Sequence, residues 1–283
     1  MKEFLRGRTG HPLIKELEKQ IYAHRGFHDK PQIPENSIPA FKRAIERGWG
    51  AELDVHLLKD GSLLVFHDSD VKRCTGSEGI LEDMTLPEAM ELRLEGTDER
   101  IPLFDEVLEL FENSGPLIIE LKTYKGNHRE LSEAVVKRLS TYKGLFCIES
   151  FDPRAIKDVR ELDPEIVRGQ LACDFADETD VAGWQRPLLT NLILNVIGKP
   201  DFNAYRFEDR KNRALRKLTG KGVKEVAWTI RNKEDFDTCI RNGIIPIFEK
   251  FDPEKQGTCS TKKYGIGEKD ERCSEDTRVH YSV

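Results

Sequence analysis

The sequence predicts an α/β protein of the (β/α)8 (TIM) barrel class. Short apolar runs recur along the chain with helical patterns between them, which is typical of repeated βα units and a parallel sheet. Eight such runs are present, the number of strands that closes this barrel. The chain has 283 residues, and a single α/β barrel of about 200–250 residues is routine.

The strands and helices follow in alternation. The runs predicted as strands are Ile21–His24, Ala51–Val55, Leu117–Leu121, Leu145–Ser150, Ile166–Leu171, Asn191–Asn195, Glu225–Ile230 and Ile244–Phe248. The helical patterns between them include Ile38–Arg47, Glu130–Tyr142, Arg154–Glu161, Asp209–Leu218 and Lys233–Arg241. Two helix starts carry capping signals: Asn36 or Ser37 before Ile38, and Asp152 before Pro153.

The βα repeat is interrupted after the second βα segment. Residues 70–113 contain a Gly-rich loop, a helix starting near Thr85 and a second helix after Pro102, which is too long for an ordinary connection. We expect a small lid or subdomain near the barrel mouth, where βα loops lie. Residues 254–283 are polar, mixed in charge and without period, which is typical of a disordered tail. The barrel is therefore predicted over residues 20–253.

Composition restricts the function classes. Charged residues make up 34%, the hydrophobic set 38%, and the net charge of −6 argues against nucleic-acid binding. No window approaches the roughly 20 apolar residues of a membrane span, and the first residues have no apolar signal-peptide region. The six cysteines form no CxxC pair, which favours reduced thiols. We expect a cytoplasmic protein with no stable membrane insertion, and we interpret Cys74 as a bystander.

The stretch ELDVHLLKDGSLLVFHD carries the first candidate site. Glu52 and Asp54 are two positions apart, so on a strand their side chains share a face, and His67 and Asp68 end the next apolar run. Two carboxylates on one face are costly unless a positive charge lies between them. A divalent metal would supply that charge and leave a nearby histidine for proton transfer. A solvated acidic edge strand is the alternative.

Two further elements extend this site. His24 ends the first predicted strand, Arg25 can donate two parallel hydrogen bonds to a phosphate, and Gly26 would allow close approach of the backbone to a ligand. Glu120 and Lys122 share a face of another strand, either as an internal ion pair or as a metal ligand and a phosphate-binding cation. Oxygen-only ligation favours Ca²⁺ or Mg²⁺ over zinc.

These motifs together resemble one family, the glycerophosphodiester phosphodiesterases. The motifs that carry the resemblance, in family order, are HRG, PENS, ELDVHLLKDG, VFHD, TGSEGILEDMTLPEAMELRL, IPLFDEVL, IIELK, IESFDP and AWTIRN, over residues 22–251. The resemblance implies a (β/α)8 barrel with a small insertion. It also implies metal-dependent hydrolysis of small-molecule glycerophosphodiesters to an alcohol and glycerol phosphate.

The resemblance assigns roles to particular positions. The implied residues are His24 and His67 as catalytic histidines, Glu52, Asp54 and Glu120 as metal ligands, Arg25 and Lys122 as phosphate-binding cations, and Trp228 on the glycerol side of the pocket. It further implies attack by the glycerol 2-hydroxyl and a cyclic phosphate that water opens. We assign His24 as base and His67 as acid, with the reverse open, and two histidines of near-neutral pKa should give a bell-shaped rate profile.

Several points remain open in the sequence. His56 could line the mouth or be a hydrogen-bonded histidine behind the site, and Asp68 could orient His67 or only start the loop. This chain departs from the family pattern at two places: Leu58 occupies a position where the family usually has Thr, and Phe248-Glu249 occupies one where it usually has a Thr-Asp pair. Alternatives are a lysophospholipase D-type enzyme, disfavoured by the acidic insertion, and a non-catalytic barrel, disfavoured because every expected site residue is present. Head group, choice of metal ion and oligomeric state are undetermined.

Overall fold

Eight parallel strands close into a barrel in residues 7–176 and 181–255, the part of the chain that this computed structural model describes. The strands are β1 Tyr22–Ala23, β2 Gly50–Leu57, β3 Leu63–Val65, β4 Leu117–Leu121, β5 Phe146–Ser150, β6 Arg168–Ala172, β7 Phe202–Arg206, β8 Lys224–Ile230 and β9 Ile245–Phe248. β1 pairs with both β2 and β9, which closes the ring, and β3 lies outside it as an antiparallel partner of β2. The predicted fold class is confirmed. The predicted tail beyond residue 255 lies outside the described residues.

Helices connect the strands on the outside of the barrel. They are α1 Ile14–Leu17, α2 Ile38–Glu46, α3 Lys72–Thr75, α4 Leu86–Met90, α5 Phe104–Phe111, α6 His128–Leu139, α7 Pro153–Leu162, α8 Arg186–Thr190, α9 Asn195–Gly198, α10 Arg213–Thr219 and α11 Lys233–Arg241. Both predicted capping sites are confirmed. The Ser37 hydroxyl accepts a hydrogen bond from the Ala40 N–H, and the Asp152 carboxylate accepts one from the Arg154 N–H.

One predicted strand is wrong. Residues 191–195 form the turn between α8 and the start of α9, and the strand at this place in the ring is β7, Phe202–Arg206. The run NLILN is apolar because the turn packs into the core: Leu192 is buried with a φ of +54°, which a strand cannot have. Predicted helix 209–218 is also shorter, since a single 3-10 turn, Phe207–Asp209, precedes α10.

Alternation along β2 separates the core from the site. Ala51, Leu53 and Val55 join the apolar cluster that packs against α5, α6 and α7. Their neighbours Glu52, Asp54 and His56 are also buried, but successive strand residues face opposite sides, so they point into the barrel. Fully burying one such Val or Leu side chain stabilises the fold by roughly 1.5–3 kcal/mol. The outer face therefore stabilises the barrel, while the inner face can carry charge.

The segment that follows β3 has an apolar cluster of its own. Leu58 belongs to it, which explains the apolar residue where the family usually has Thr. Other buried members are Leu64, Phe66, Val71, Cys74, Leu81, Ala89, Leu94 and Ile101. The side chains are contributed by β3, α3, α4 and the loops between them, so this segment is anchored to the barrel by its own small core. No helix among the described residues is long and apolar enough to span a bilayer.

Candidate active site

Strand register brings four acidic positions together inside the barrel. Asp54 of β2 is paired with Glu120 of β4, and Glu120 is paired with Glu149 of β5. Residues paired across parallel strands lie at one level and on one face. Glu52 lies two residues before Asp54 on the same face. The ends of these strands and the loops after them form the barrel mouth, where active sites of this fold lie.

Three of these carboxylates form a compact cluster. Glu52, Asp54 and Glu120 each offer an oxygen atom within 4.8 Å of the other two. Burial, reinforced by the neighbouring Asp54 and Glu120 charges, raises the pKa of Glu52 well above its ordinary range. Burial, reinforced by Asp54 and opposed by Lys122, raises the pKa of Glu120 to about 7. Three hard oxygen donors that repel one another when ionised are the donor set that a divalent cation such as Ca²⁺ or Mg²⁺ stabilises.

Hydrogen bonds hold two of the three carboxylates in place. The backbone N–H of Arg25 donates to Glu52 Oε2 at 3.1 Å, and Asn36 Nδ2 donates to Asp54 Oδ2 at 2.8 Å. Asn36 has a φ of +52°, a conformation that Asn tolerates better than most residues. Its amide is buried, so Asn36 is part of the site rather than only the residue before the helix cap. The motif PENS contains this asparagine, but from the sequence alone the motif indicates a helix cap.

The predicted cations Arg25 and Lys122 lie beside the cluster. Lys122 Nζ is 3.0 Å from Asp54 Oδ1 and 2.8 Å from Glu120 Oε1, while Arg25 Nε is 3.6 Å from Asp54 Oδ2. Burial disfavours the charged form of Asp54, but the charges of Lys122 and Arg25 and the hydrogen bond from Asn36 outweigh it and hold its pKa below the ordinary range. The sequence left open whether Glu120 and Lys122 form an internal ion pair or act as a metal ligand and a phosphate-binding cation. The observed geometry is compatible with both.

Gly26 allows a close contact between the loop after β1 and helix α2. It adopts a φ of +77°, and a Cβ atom there would lie 2.8 Å from the Ala40 carbonyl carbon. This close approach is to the first turn of α2. Glycine here lets the loop after β1 turn tightly against α2, which sets the position of Arg25.

His24 is held by the last strand's carboxyl end. Its Nδ1 is 2.8 Å from Glu249 Oε2, and its Nε2 is 3.9 Å from Glu52 Oε2. The pKa of His24 is lowered by burial and by the Arg25 charge, against the opposing effect of Glu249. Glu249 also accepts a hydrogen bond from Arg231 Nε at 2.8 Å. The departure at Phe248-Glu249 therefore places a carboxylate behind a candidate catalytic histidine.

His67 has the matching arrangement. Its Nδ1 is 2.5 Å from Asp68 Oδ1, so Asp68 contacts the ring that it could orient. Burial and the charges of Arg25 and Lys122 lower the pKa of His67 to about 3. The pKa of His67 therefore departs from the near-neutral value expected for it, because burial next to two cations favours the uncharged imidazole.

His56 lies behind the site rather than at the mouth. It is 1% exposed, its Nδ1 is 2.7 Å from Glu82 Oε1, and its Nε2 is 3.2 Å from the His67 carbonyl oxygen. Glu82, an acidic residue of the insertion, is therefore buried against His56. Burial raises the pKa of the Cys74 thiol to about 12, which agrees with its interpretation as a bystander.

Sequence reasoning missed two charged residues of the pocket, Glu149 and Arg231. Glu149 is 1% exposed, and burial next to Glu120 and Asp54 raises its pKa well above the ordinary range. A charged residue in the otherwise apolar strand LFCIES was the available signal. The pocket is lined by His24, Arg25, Glu52, His67, Glu120, Lys122, Glu149, Phe151, Leu171, Trp228, Thr229, Arg231 and Ile247.

Trp228 forms part of the pocket wall and part of the core. Its ring packs edge-on against Phe151 with centroids 5.6 Å apart, and its Nε1 donates to the Ala204 carbonyl at 3.0 Å. One side chain therefore contributes both to the pocket wall and to the packing of the core. Ser150 is structural, since its hydroxyl donates to the Leu121 carbonyl at 2.8 Å.

Fold and pocket define a class of protein. A barrel mouth that combines paired histidines, clustered carboxylates and two cations suits proton transfer at a phosphate ester, so the chain is a hydrolase of phosphodiesters. More narrowly, it belongs to the glycerophosphoryl diester phosphodiesterase family, whose model matches residues 24–251.

Individual relatives support this placement. The chain is 33% identical over 250 residues to a glycerophosphodiester phosphodiesterase of Caldanaerobacter subterraneus subsp. tengcongensis, covering 84% of this chain and 96% of the relative. It resembles a solved phosphodiesterase from Oleispira antarctica in complex with the product sn-glycerol-3-phosphate, with a TM-score of 0.67, 26% identity, and coverage of 81% of this chain and 92% of that one. It also resembles the solved glycerophosphodiester phosphodiesterase from Thermotoga maritima, with a TM-score of 0.62 and 27% identity. That match covers 81% of this chain and 94% of the other.

Proposed function

We propose that this protein hydrolyses small-molecule glycerophosphodiesters to an alcohol and glycerol 3-phosphate, with one divalent ion, Ca²⁺ or Mg²⁺. The observation that carries the proposal is the shared pocket. Two histidines, each with a carboxylate on Nδ1, line the same cavity as an acidic cluster and two cations. The product complex of the Oleispira antarctica relative supports glycerol 3-phosphate as the product.

The residues present fit a divalent ion. Glu52, Asp54 and Glu120 would hold it, since each offers one oxygen from a common inner face of the barrel. When bound, such an ion neutralises charge on the non-bridging phosphate oxygens and orients the substrate. Arg25 and Lys122 add positive charge beside this carboxylate cluster. These preorganised cations stabilise the negative charge that develops on the phosphate oxygens.

The histidines divide the proton transfers. With Nδ1 bound to Glu249, His24 presents Nε2 to the pocket, where it accepts a proton from the attacking glycerol 2-hydroxyl. His67 then donates a proton to the leaving alcohol oxygen, the P–O bond to that alcohol breaks, and water opens the cyclic phosphate. In the free site burial, together with the charges of Arg25 and Lys122, lowers the pKa of His67. An anionic phosphate between these cations screens them, which favours uptake of the proton that His67 must donate.

Trp228 is proposed to form the glycerol side of the pocket. Its indole N–H is already used by the Ala204 carbonyl, so the ring offers apolar surface rather than a hydrogen bond. Leu171 and Ile247 continue that wall. Such a surface packs against the carbon chain of glycerol, while the charged groups opposite hold the phosphate.

A panel assay tests the proposed function. Purified protein is incubated with glycerophosphocholine, other glycerophosphodiesters and lysophospholipids, each with Ca²⁺, with Mg²⁺ or with EDTA, and released alcohol and glycerol 3-phosphate are quantified. Turnover of diesters that EDTA abolishes and added ion restores is expected. Preference for lysolipids would favour the lysophospholipase D-type alternative, and metal binding without turnover would favour the non-catalytic barrel.

The proposal includes a cytoplasmic location. Cys74, Cys147, Cys173 and Cys239 are buried as free thiols, which suits a reducing compartment. Fractionation of cells that express the full chain, followed by immunodetection, would check the location.

A further inference from the structure

We propose that Arg73, on the first helix of the insertion, is a positioning residue for both His67 and Arg25. The inference rests on the proposed function of these two groups, and it goes beyond it by assigning the insertion a part in the active site. Arg73 lies outside the pocket lining and is not among the family-implied site residues.

Arg73 contacts His67 through the carboxylate of Asp68. Arg73 Nε donates to Asp68 Oδ2 at 2.5 Å, and the other oxygen of the same carboxylate, Oδ1, is 2.5 Å from His67 Nδ1. Asp68 is therefore fixed from both sides, and the imidazole can rotate only by breaking a charge-assisted hydrogen bond. The tautomer that leaves Nε2 free for chemistry is the one in which Nδ1–H donates to Asp68.

Arg73 contacts Arg25 through the carboxylate of Glu35. Arg73 Nη2 donates to Glu35 Oε1 at 2.6 Å, and Arg25 Nη1 donates to the same oxygen at 2.8 Å. Glu35 is 5% exposed and also binds Lys30 Nζ at 2.6 Å through Oε2. The charges of Arg25, Arg73 and Lys30 outweigh burial and hold the pKa of Glu35 well below the ordinary range. A permanently ionised carboxylate thus bridges Arg73 to the phosphate-facing guanidinium.

The chemistry of this junction requires an arginine. Two carboxylates 33 positions apart in sequence are held at once by Nε and Nη2 of one planar guanidinium. A lysine ammonium is a compact point charge that cannot reproduce this fixed fork. The neighbouring Lys72 differs, because it pairs with Glu78 at the surface, where the two side chains are 61% and 77% exposed.

The insertion fixes the position of Arg73. Val71 and Cys74 on either side are buried in the insertion's apolar cluster, and the Cys74 carbonyl accepts a hydrogen bond from the Glu95 N–H at 2.6 Å. Helix α3 ends at Gly76 with a φ of +70°, a conformation suited to glycine. The packed insertion therefore fixes one side chain that reaches both His67 and Arg25.

Kinetics of matched variants test the proposal. Arg73→Ala and Arg73→Lys are expected to lower kcat/KM roughly 10- to 100-fold, the range found when a supporting partner of an active-site ligand is removed. Lys72→Ala is the control and is expected to stay within about twofold. Losses from Arg73→Ala and Asp68→Asn should not multiply in the double variant, because both act through one contact chain. Added guanidinium should partly restore Arg73→Ala, an effect that a purely structural loss would not show.

A second readout does not depend on turnover. In ¹⁵N-histidine-labelled protein, the imidazole Nδ1–H signal of His67, assigned by its loss in His67→Ala, should be protected in the parent chain and weakened in Arg73→Ala. An unchanged signal, multiplying losses, or an Arg73→Ala variant as active as Lys72→Ala would overturn the proposal. If the parent chain cleaves no diester, the proposed function fails, and the imidazole signal alone decides the positioning role.

Discussion

Replacing Glu120 by glutamine is expected to stabilise the metal-free protein above neutral pH and to remove its response to divalent ions. Glu120 is 7% exposed, and its pKa is raised from 4.5 to about 7. The folded protein therefore holds a proton that the unfolded chain releases above pH 4.5. The stability from this protonated form is complete below about pH 4.5 and is lost as the pH rises through about 7.

The size of the effect follows from that shift. At about 1.4 kcal/mol for each pH unit, ionised Glu120 costs the metal-free fold about 3 kcal/mol at pH 8. Glutamine removes the charge and keeps an oxygen for Lys122 Nζ, now 2.8 Å from Glu120 Oε1. The raised pKa is already net of the attraction of Lys122, and glutamine at most matches the protonated carboxyl group, so Glu120→Gln should be more stable by roughly 1–3 kcal/mol. For a chain of this size that corresponds to about 3–10 °C in Tm.

Thermal unfolding in EDTA and in saturating Ca²⁺ or Mg²⁺ is the assay. The parent chain should gain about 2.7 kcal/mol at an ion concentration 100 times Kd, and Glu120→Gln should gain little. At pH 5 the metal-free difference should largely vanish, because Glu120 is then protonated. Glu109→Gln, on the exposed face of α5, is the matched control. A variant that is less stable than the parent at pH 8 in EDTA, yet gains as much from metal, would refute the reasoning.

Three further predictions concern catalysis. His24→Ala and His67→Ala should each lower turnover of glycerophosphocholine at least about 100-fold with the Tm retained; near-parental turnover in either would refute the two-histidine mechanism. Lys122→Met removes a charge that lowers the His67 pKa, so the limb of the pH–rate profile that requires protonated His67 should move to higher pH, and an unmoved limb would contradict this. Glu249→Gln should lower kcat roughly 10- to 100-fold with little change in KM. The control is Glu208→Gln, at an exposed position. Equal effects of the two variants would contradict a role of Glu249 in orienting His24.

Local pattern was enough for the barrel and for most of the pocket. Carboxylates at Glu52, Asp54 and Glu120 interrupt apolar strands, and a charge on an otherwise buried face is visible in one sequence. Strand β7 was missed because its residues are mixed: Asn203 faces a buried partner, with Asn195 Nδ2 donating to its Oδ1 at 2.7 Å. Polar residues satisfied by a distant side chain carry no local periodic signal.

The partners behind the histidines show the same limit. Asp68 is adjacent to His67 and could be weighed as its orienting group, whereas Glu249 is 225 positions from His24. Only barrel closure brings such groups together. Arg73 was likewise hidden, because Glu35, one of its two carboxylate partners, is 38 positions away and lies beside it only when the insertion folds back against the loop after β1.

The shortness of β1 has a consequence for synthesis of the protein. This strand contains two residues, and it is held between β2, among the first strands made, and β9, the last. His24 therefore obtains its backbone hydrogen bond to the Phe248 carbonyl and its carboxylate partner only after Glu249 has left the ribosome. A nascent chain that already carries the whole acidic cluster still lacks an oriented His24. Onset of diesterase activity during translation would consequently report completion of the ring, and chains arrested before residue 249 should be inactive.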